Sequence, residues 1–140
     1  MNHDKKIKAF FEGVEQASNT LDLNLIDAQY TEQFIFADPN GTRVIEKQKF
    51  FSALPKRYEF FKSLGHRSTK VVSLDETPID DQYTIVKAHF LMQFQKTPGQ
   101  MIEAKVDSTY ILFMKGDTPR IAMHIEHEDL KEAMHAWGLL

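Results

Sequence analysis

The chain contains no cysteine, which excludes disulfides, thiolate metal ligands and thiol nucleophiles. Proline and glycine are sparse, 5 and 6 respectively in 140 residues. No Pro- or Gly-rich linker, repeat or low-complexity segment interrupts the chain, so residues 1–140 read as one domain. No apolar run approaches the roughly 20 residues that span a bilayer. Nothing behind Met1-Asn2-His3-Asp4-Lys5-Lys6 has the apolar stretch of a secretory leader. No membrane partner is expected, and the expected compartment is the cytoplasm. A dense basic surface is also missing. Net charge is -3, and Lys5-Lys6-Ile7-Lys8 is the only local basic cluster, which reads as a solvated helix face rather than a nucleic-acid groove. Tryptophan occurs once against 11 phenylalanines. Phe lacks a polar handle, so this aromatic content belongs in a core or a pocket lining.

What the chain does have is a long stretch of alternation. Residues 84–127 read as three strands of one parity. With Thr97-Pro98-Gly99 as a turn, Lys96 faces Gln100, and Phe94, Met92, Phe90 and Val86 fall opposite Ile102, Ala104, Val106 and Tyr110. With Gly116-Asp117-Thr118-Pro119 as the next turn, Met114 meets Ile121, Leu112 meets Met123, and Tyr110 meets Ile125. A slip of one residue would reverse every side chain, so the pattern specifies a register. The result is an antiparallel meander with one apolar face to cover.

The cover comes from the N-terminal half. Ile7, Phe10, Phe11 and Val14 recur at helical spacing behind Asp4 as a candidate cap. A second helix is expected after Asn19 or Thr20. Phe34–Ala37 and Thr42–Ile45 form a hairpin about the Asp38-Pro39-Asn40-Gly41 turn. Residues 46 to about 64 form an aromatic-faced third helix that Pro55 should kink or split and Gly65 should end. A strand at 67–74, an acidic turn near 75–81 and a terminal helix or turn at 128–137 complete the order. The expected class is α+β, with three N-terminal helices on a strongly curved antiparallel sheet, a cone or roll enclosing a pocket.

Tyr30-Thr31-Glu32-Gln33-Phe34-Ile35-Phe36-Ala37-Asp38-Pro39-Asn40-Gly41 resembles the helix-two end, first strand and Asp-Pro-x-Gly turn of the nuclear-transport-factor-2-like superfamily. That superfamily has a cystatin-like cone and includes ketosteroid isomerases and SnoaL-like polyketide cyclases. The resemblance covers nearly the whole chain, and the meander ending in Arg120-Ile121 is similar as well. It implies that Asp38 occupies the place of the isomerases' general base. Their oxyanion donors, a Tyr on helix one and an Asp on a central strand, fall here at Phe10 or Phe11 and near Tyr110 or Ile111, so that constellation is incomplete. Fold cannot assign the activity; the site must.

Several residues are candidates for chemistry. Asp38 could cap its own turn or, if aimed into an apolar cone, act as a base. Tyr110 could simply pack, or donate to a ligand carbonyl. His127 suits a pocket acid or base near neutral pH. It faces Ser108 in this register, a pairing that suggests nucleophile activation but lacks an orienting third group. The catalytic candidates are therefore Asp38, Tyr110 and His127, with Phe36, Tyr58, Phe61, Phe90, Met92 and Ser108 around the ligand. In His124-Ile125-Glu126-His127, alternation sends His124 and Glu126 to the outer face and His127 inward, so the run cannot chelate as a unit. A second grouping, His89, Asp107 and Glu126, could hold an ion, but salt bridging is the preferred reading and no metal or cofactor is expected. Outer-face Ile85, Leu91, Ile111 and Phe113 suggest a homodimer through the sheet.

The expected function is binding of a small apolar or aromatic molecule, with isomerisation or dehydration by proton abstraction next to a carbonyl if there is chemistry. The alternative is a non-catalytic binding or interaction module whose cone is filled by its own side chains.

Overall fold

The computed structural model describes residues 3–116 and 118–140. Asp117, in the expected turn Gly116–Pro119, lies outside the described residues. The order is α1 (Asp4–Thr20), α2 (Leu23–Gln29), β1 (Tyr30–Asp38), β2 (Gly41–Glu46), α3 (Lys47–Ser63), β3 (His66–Pro78), β4 (Tyr83–Thr97), β5 (Gln100–Phe113), β6 (Arg120–Glu126) and α4 (Leu130–Ala136). The class is α+β, and no described helix is long and apolar enough to cross a membrane.

Helix α1 buries Ile7, Phe10, Phe11 and Ala17, one stripe at helical spacing. It starts at Asp4 without a side-chain cap and stops where Leu21 turns left-handed at φ 53°. The cap of α2 is Asp22, whose carboxylate accepts the Leu25 N–H. Asn19, expected to cap that helix, instead clamps β3. Its side-chain amide donates to the Thr69 carbonyl and its oxygen accepts the Thr69 N–H. Pro55 neither splits nor ends α3, which runs unbroken through it. Pro55 sits on the exposed side of that helix, where water can replace the lost backbone bond.

The six strands form one sheet in the order β2-β1-β6-β5-β4-β3. All neighbours are antiparallel except β1 and β6, which are parallel. The sheet is otherwise antiparallel, as the alternation predicts, and this one parallel pair is not marked in the sequence. The chain leaves β1, builds β2 to β5, and returns beside β1 only with its last strand. Strands β1 and β3 are also longer than their apolar cores suggested, because pairing carries Asp75 and Glu76 into the ladder opposite Lys87 and Val86.

The first meander hairpin keeps its expected pairs from Val86–Tyr110 to Phe94–Ile102. Its turn is tighter than expected: Thr97, not Lys96, faces Gln100, after an irregularity in β4 beyond Phe94. The second hairpin differs more. Leu112 faces Ile121 but Ile111 faces Met123, so Ala122 is an extra, unpaired residue. Past this β-bulge Tyr110 faces His124 rather than Ile125, and Ser108 faces Glu126 rather than His127. Further irregularities lie in β3 and between β1 and β6. Bulges of this kind strengthen twist and bend the sheet around its contents.

The main core joins α1 and α2 to the inner face through Phe11, Ile26, Phe34, Val86, Tyr110, Leu112 and Ile121. A second cluster of Leu64, Phe94, Met134 and Leu139 ties α4 and the C-terminus to the β4–β5 end.

Candidate functional site

A cavity of about 240 Å³ lies between the helices and the inner face of the sheet. Its apolar lining includes Phe34, Phe36, Phe50, Leu54, Phe61, Phe90, Met92 and Trp137. Its polar groups concentrate on β5, β6 and the facing side of α3: Ser108, Tyr110, His124, Glu126, Arg57 and Tyr58.

The bulge at Ala122 creates this polar wall. It turns both Ile121 and His124 inward, which strict alternation forbids. One row then crosses the inner face as Arg43, Phe36, His124, Tyr110 and Val86. Arg43 covers the Phe36 ring at 5.1 Å, and Phe36 meets His124 edge to face at 5.5 Å. His124 stacks on Tyr110 with centroids 4.4 Å apart and planes 19° apart. Phe11 of α1 closes on Tyr110 from the helical side at 5.2 Å.

Burial sets the protonation of these groups. It pushes the His124 imidazole down to about 3, helped by the Arg57 charge, so the ring is neutral. It raises the Tyr110 phenol well above its ordinary value, with Tyr30 and Glu126 adding to the rise and a hydrogen bond with Ser108 opposing it. The Tyr30 phenol rises to about 12, mostly by burial. Burial also lifts the Glu126 carboxyl above its usual range. Arg57 and Arg43 oppose this, and Asp38 and Asp129 add to it. Arg57 Nη2 stands 3.8 Å from Glu126 Oε1. A carboxyl with a raised pKa, two phenols and a guanidinium thus influence one another across a single space, the kind of arrangement proton transfer needs.

Phe36, Tyr58, Phe61, Phe90, Met92, Ser108 and Tyr110 all line this cavity. Tyr58 also donates to the Asn19 carbonyl at 3.4 Å. Asp38 is placed otherwise. Its carboxylate accepts the Asn40 N–H at 2.9 Å, closing its own turn, and it is not part of the lining, acting there only through its charge near Glu126. His127 lines the cavity at its exposed rim, sharing a 2.6 Å hydrogen bond with the Thr109 hydroxyl. It does not face Ser108, so no Ser–His pair forms. His124 and Glu126 face inward, the reverse of the alternation reading, because that reading had no bulge. For the same reason Glu126 is on the opposite face from His89 and cannot join it. His89 bridges Asp107 through Nδ1 at 2.8 Å and Asp75 through Nε2 at 2.7 Å, and both carboxylates raise its pKa. Among the described residues no three His, Asp or Glu side chains are placed to hold a metal ion.

Arg57, Tyr30, Gln29, His124 and Glu126 are among the polar lining groups that sequence reasoning missed. In β6, Ile121, Ala122, Met123 and Ile125 supply apolar residues to either parity, so periodicity could not decide between them. The small Ala122 was the one hint of a bulge.

No protein-family model matches the chain, and no curated protein matches it. Solved structures do. An NTF2-like protein of unknown function from Shewanella oneidensis MR-1 aligns with a TM-score of 0.72 at 18% identity, over 91% of this chain and 100% of that one. An NTF2-like protein with a cystatin-like fold from Novosphingobium aromaticivorans aligns at 0.71 and 11% identity, over 98% and 88%. The chain has the NTF2-like fold. A third structure with this fold, from the same Novosphingobium species, is assigned as the beta subunit of an aromatic-ring-hydroxylating dioxygenase. It aligns at 0.67 and 9% identity, over 89% of this chain and 88% of that one. At these identities the likeness is one of NTF2-like architecture, and the chemistry must be read from the cavity itself.

Proposed function

We propose that this NTF2-like domain binds a small apolar or aromatic molecule in the cavity and moves a proton next to a carbonyl, in an isomerisation or dehydration. The observation that carries this reading is Glu126. It is a largely buried carboxyl with a raised pKa, beside Arg57 and near two phenols, on the polar wall of a cavity whose remaining lining is mainly apolar. Glu126 is the general base, because its raised pKa brings it closer to the acidity of an activated C–H. Tyr110, held protonated by burial, donates to the oxygen on which charge develops. Ser108 holds the phenol, and Arg57 keeps part of the Glu126 population ionised. Asp38 and His127 act at the rim, Asp38 by its charge on Glu126. At about 240 Å³ the cavity is below the roughly 300–1,000 Å³ of drug-sized pockets, so the ligand is small.

The test is proton exchange. Small apolar ketones are incubated with the protein in deuterated buffer and the C–H signals beside the carbonyl are followed by NMR. Exchange above buffer rate that Glu126→Gln abolishes and Asp38→Asn largely keeps supports the reading. Loss in Asp38→Asn with retention in Glu126→Gln would move the base to the turn.

A second copy of the chain is the proposed partner on the outer sheet face. Val44, Ile35, Met123, Ile111 and Ile85 form one unbroken apolar row across five strands, and Ile35 and Val44 are exposed at 40% and 66%. A non-catalytic binding role is the second reading. The observation favouring it is the dioxygenase beta subunit among the structures that share this architecture.

A further inference from the structure

Residues 129–140 follow the last strand and wall one side of the cavity. Leu130 and Trp137 both border it, and Trp137 is the single tryptophan of the chain. Its ring leans on Phe94, 6.3 Å between centroids and 36° between planes. The other walls are the hydrogen-bonded sheet and helices packed on the main core.

This wall is fastened differently. Among the described residues its backbone hydrogen bonds close within the segment itself, from Ala133 to Asp129, Trp137 to Ala133, Gly138 to His135 and Leu139 to Met134. Two hydrogen bonds tie it to the rest of the molecule, both donated by exposed residues. Asn40 Nδ2 donates to Asp129 Oδ2 at 2.7 Å, and Lys96 Nζ donates to the Leu139 carbonyl at 3.0 Å. Its apolar anchors, Met134 and Leu139, sit in the smaller cluster with Leu64 and Phe94, apart from the main core. A wall held by two outlying bonds and one small cluster, with no strand pairing, releases at lower cost than a wall built into the ladder.

We propose that segment 129–140 is the door of the cavity, and that Trp137 sets the largest molecule the shut cavity accepts. The proposal rests on the reading of the cavity as a ligand site. A ligand enters when the segment lifts off Phe94 and leaves by the same route. With the segment shut, Leu130 and Trp137 complete an apolar enclosure that keeps water from the bound molecule. The enclosure measures about 240 Å³, and the indole stands where a more extended ring system would have to lie. The class admitted is therefore small aromatic or alicyclic molecules, with larger fused rings turned away at Trp137.

The lone tryptophan reports on its own door. Nitrobenzene, a small aromatic quencher, should reduce Trp137 emission saturably in the full chain, and stopped-flow mixing gives its association and dissociation rates. Asn40 and Lys96 do not border the cavity, so the double variant Asn40→Ala/Lys96→Met loosens the segment without touching the ligand. Both rates should rise at least about fivefold, the worth of two partly exposed hydrogen bonds, while their ratio stays unchanged. Pyrene, followed by the vibronic bands of its own emission, tests the size limit. It should stay in water with the parent and with the loosened variant, and should enter an apolar setting with Trp137→Ala. Saturable quenching with rates unchanged in the loosened variant would overturn the door and leave the cavity reading standing. Pyrene bound by the parent, or refused by Trp137→Ala, would overturn the size limit. No binding of nitrobenzene, by quenching or by calorimetry, would overturn the cavity reading and the door with it.

Discussion

The rings of Tyr110 and His124 stack face to face across the β5–β6 ladder, 4.4 Å between centroids. The stack exists because Ala122 is looped out of the pairing, and it holds a neutral histidine against a protonated phenol. The histidine makes stability acid-sensitive. Folding moves its pKa from 6.5 down to about 3, so below 6.5 the unfolded chain takes up a proton that the folded chain refuses. Stability should fall as pH drops from 6.5 toward 3 and level off below. Urea unfolding of His124→Phe across this range should show that part of the slope removed.

Glu126 should work in the opposite direction. Burial raises its folded pKa above 4.5, so the folded chain binds the proton more tightly than the unfolded one. Its contribution to stability is undiminished below 4.5 and declines as pH rises through the raised value. Glu126→Gln should therefore be more stable than the parent at neutral pH, with the gain disappearing near pH 4. Parallel denaturation curves at the two pH values check this. A variant less stable at neutral pH would mean that the Arg57 contact outweighs the burial.

Lys47 is a buried cation at the start of α3, 6% exposed. Its ammonium donates to the carbonyls of Asp27 and Tyr30 and pairs with the carboxylates of Asp27 and Glu32. Those carboxylates are open to solvent, so the two carbonyl bonds matter most. Lys47→Met should lower stability by about 1–3 kcal/mol, and the effect should survive high salt, which screens only the exposed pairs. Chemical denaturation at low and high salt measures both.

Gly65 joins α3 to β3 at φ +86°, and a Cβ there would stand 2.4 Å from the Gln95 carbonyl oxygen. The same two backbones share a 2.7 Å hydrogen bond from the Gln95 N–H to the Gly65 carbonyl. Gly65→Ala should cost at least about 2 kcal/mol, combining a left-handed backbone with a main-chain clash. Gly99→Ala, with φ +82° but open space around it, should cost less. The difference in melting temperature between the two variants isolates the clash.

Light scattering on the eluted peak should give twice the 16.2 kDa chain mass. Met123→Lys places a charge in the middle of the outer apolar row and should give the single-chain mass with unchanged circular dichroism. A parent that elutes as 16.2 kDa at micromolar concentration removes the proposed partner.

Much of the fold was legible in the sequence. The β4–β5 pairing from Val86–Tyr110 to Phe94–Ile102 follows from alternation alone, and the Phe10–Phe11 stripe of α1 follows from helical period. These segments have a single apolar face, so only one arrangement buries it. The site was less legible. The face of β6 depends on one unpaired residue in a strand apolar on both sides, and no local pattern marks it. In β4 and β5 the register held and Phe90, Met92, Ser108 and Tyr110 border the cavity; in β6 it shifted, and His124 and Glu126 turn inward instead of outward. Asp38 was a candidate base by resemblance, whereas its turn offers its carboxylate an N–H to bind, and it is that bond which forms.

The bulge at Ala122 has one more consequence. By sending His124 and Glu126 inward it also sends Met123 and Ile125 outward, next to Ile111 and Thr109. Drawing that residue back into the ladder opposite Ile111 would exchange the two sets, greasing the interior wall and charging the exterior one. Pocket polarity and exterior stickiness are thus one trait rather than two, and drift at this position cannot alter either alone.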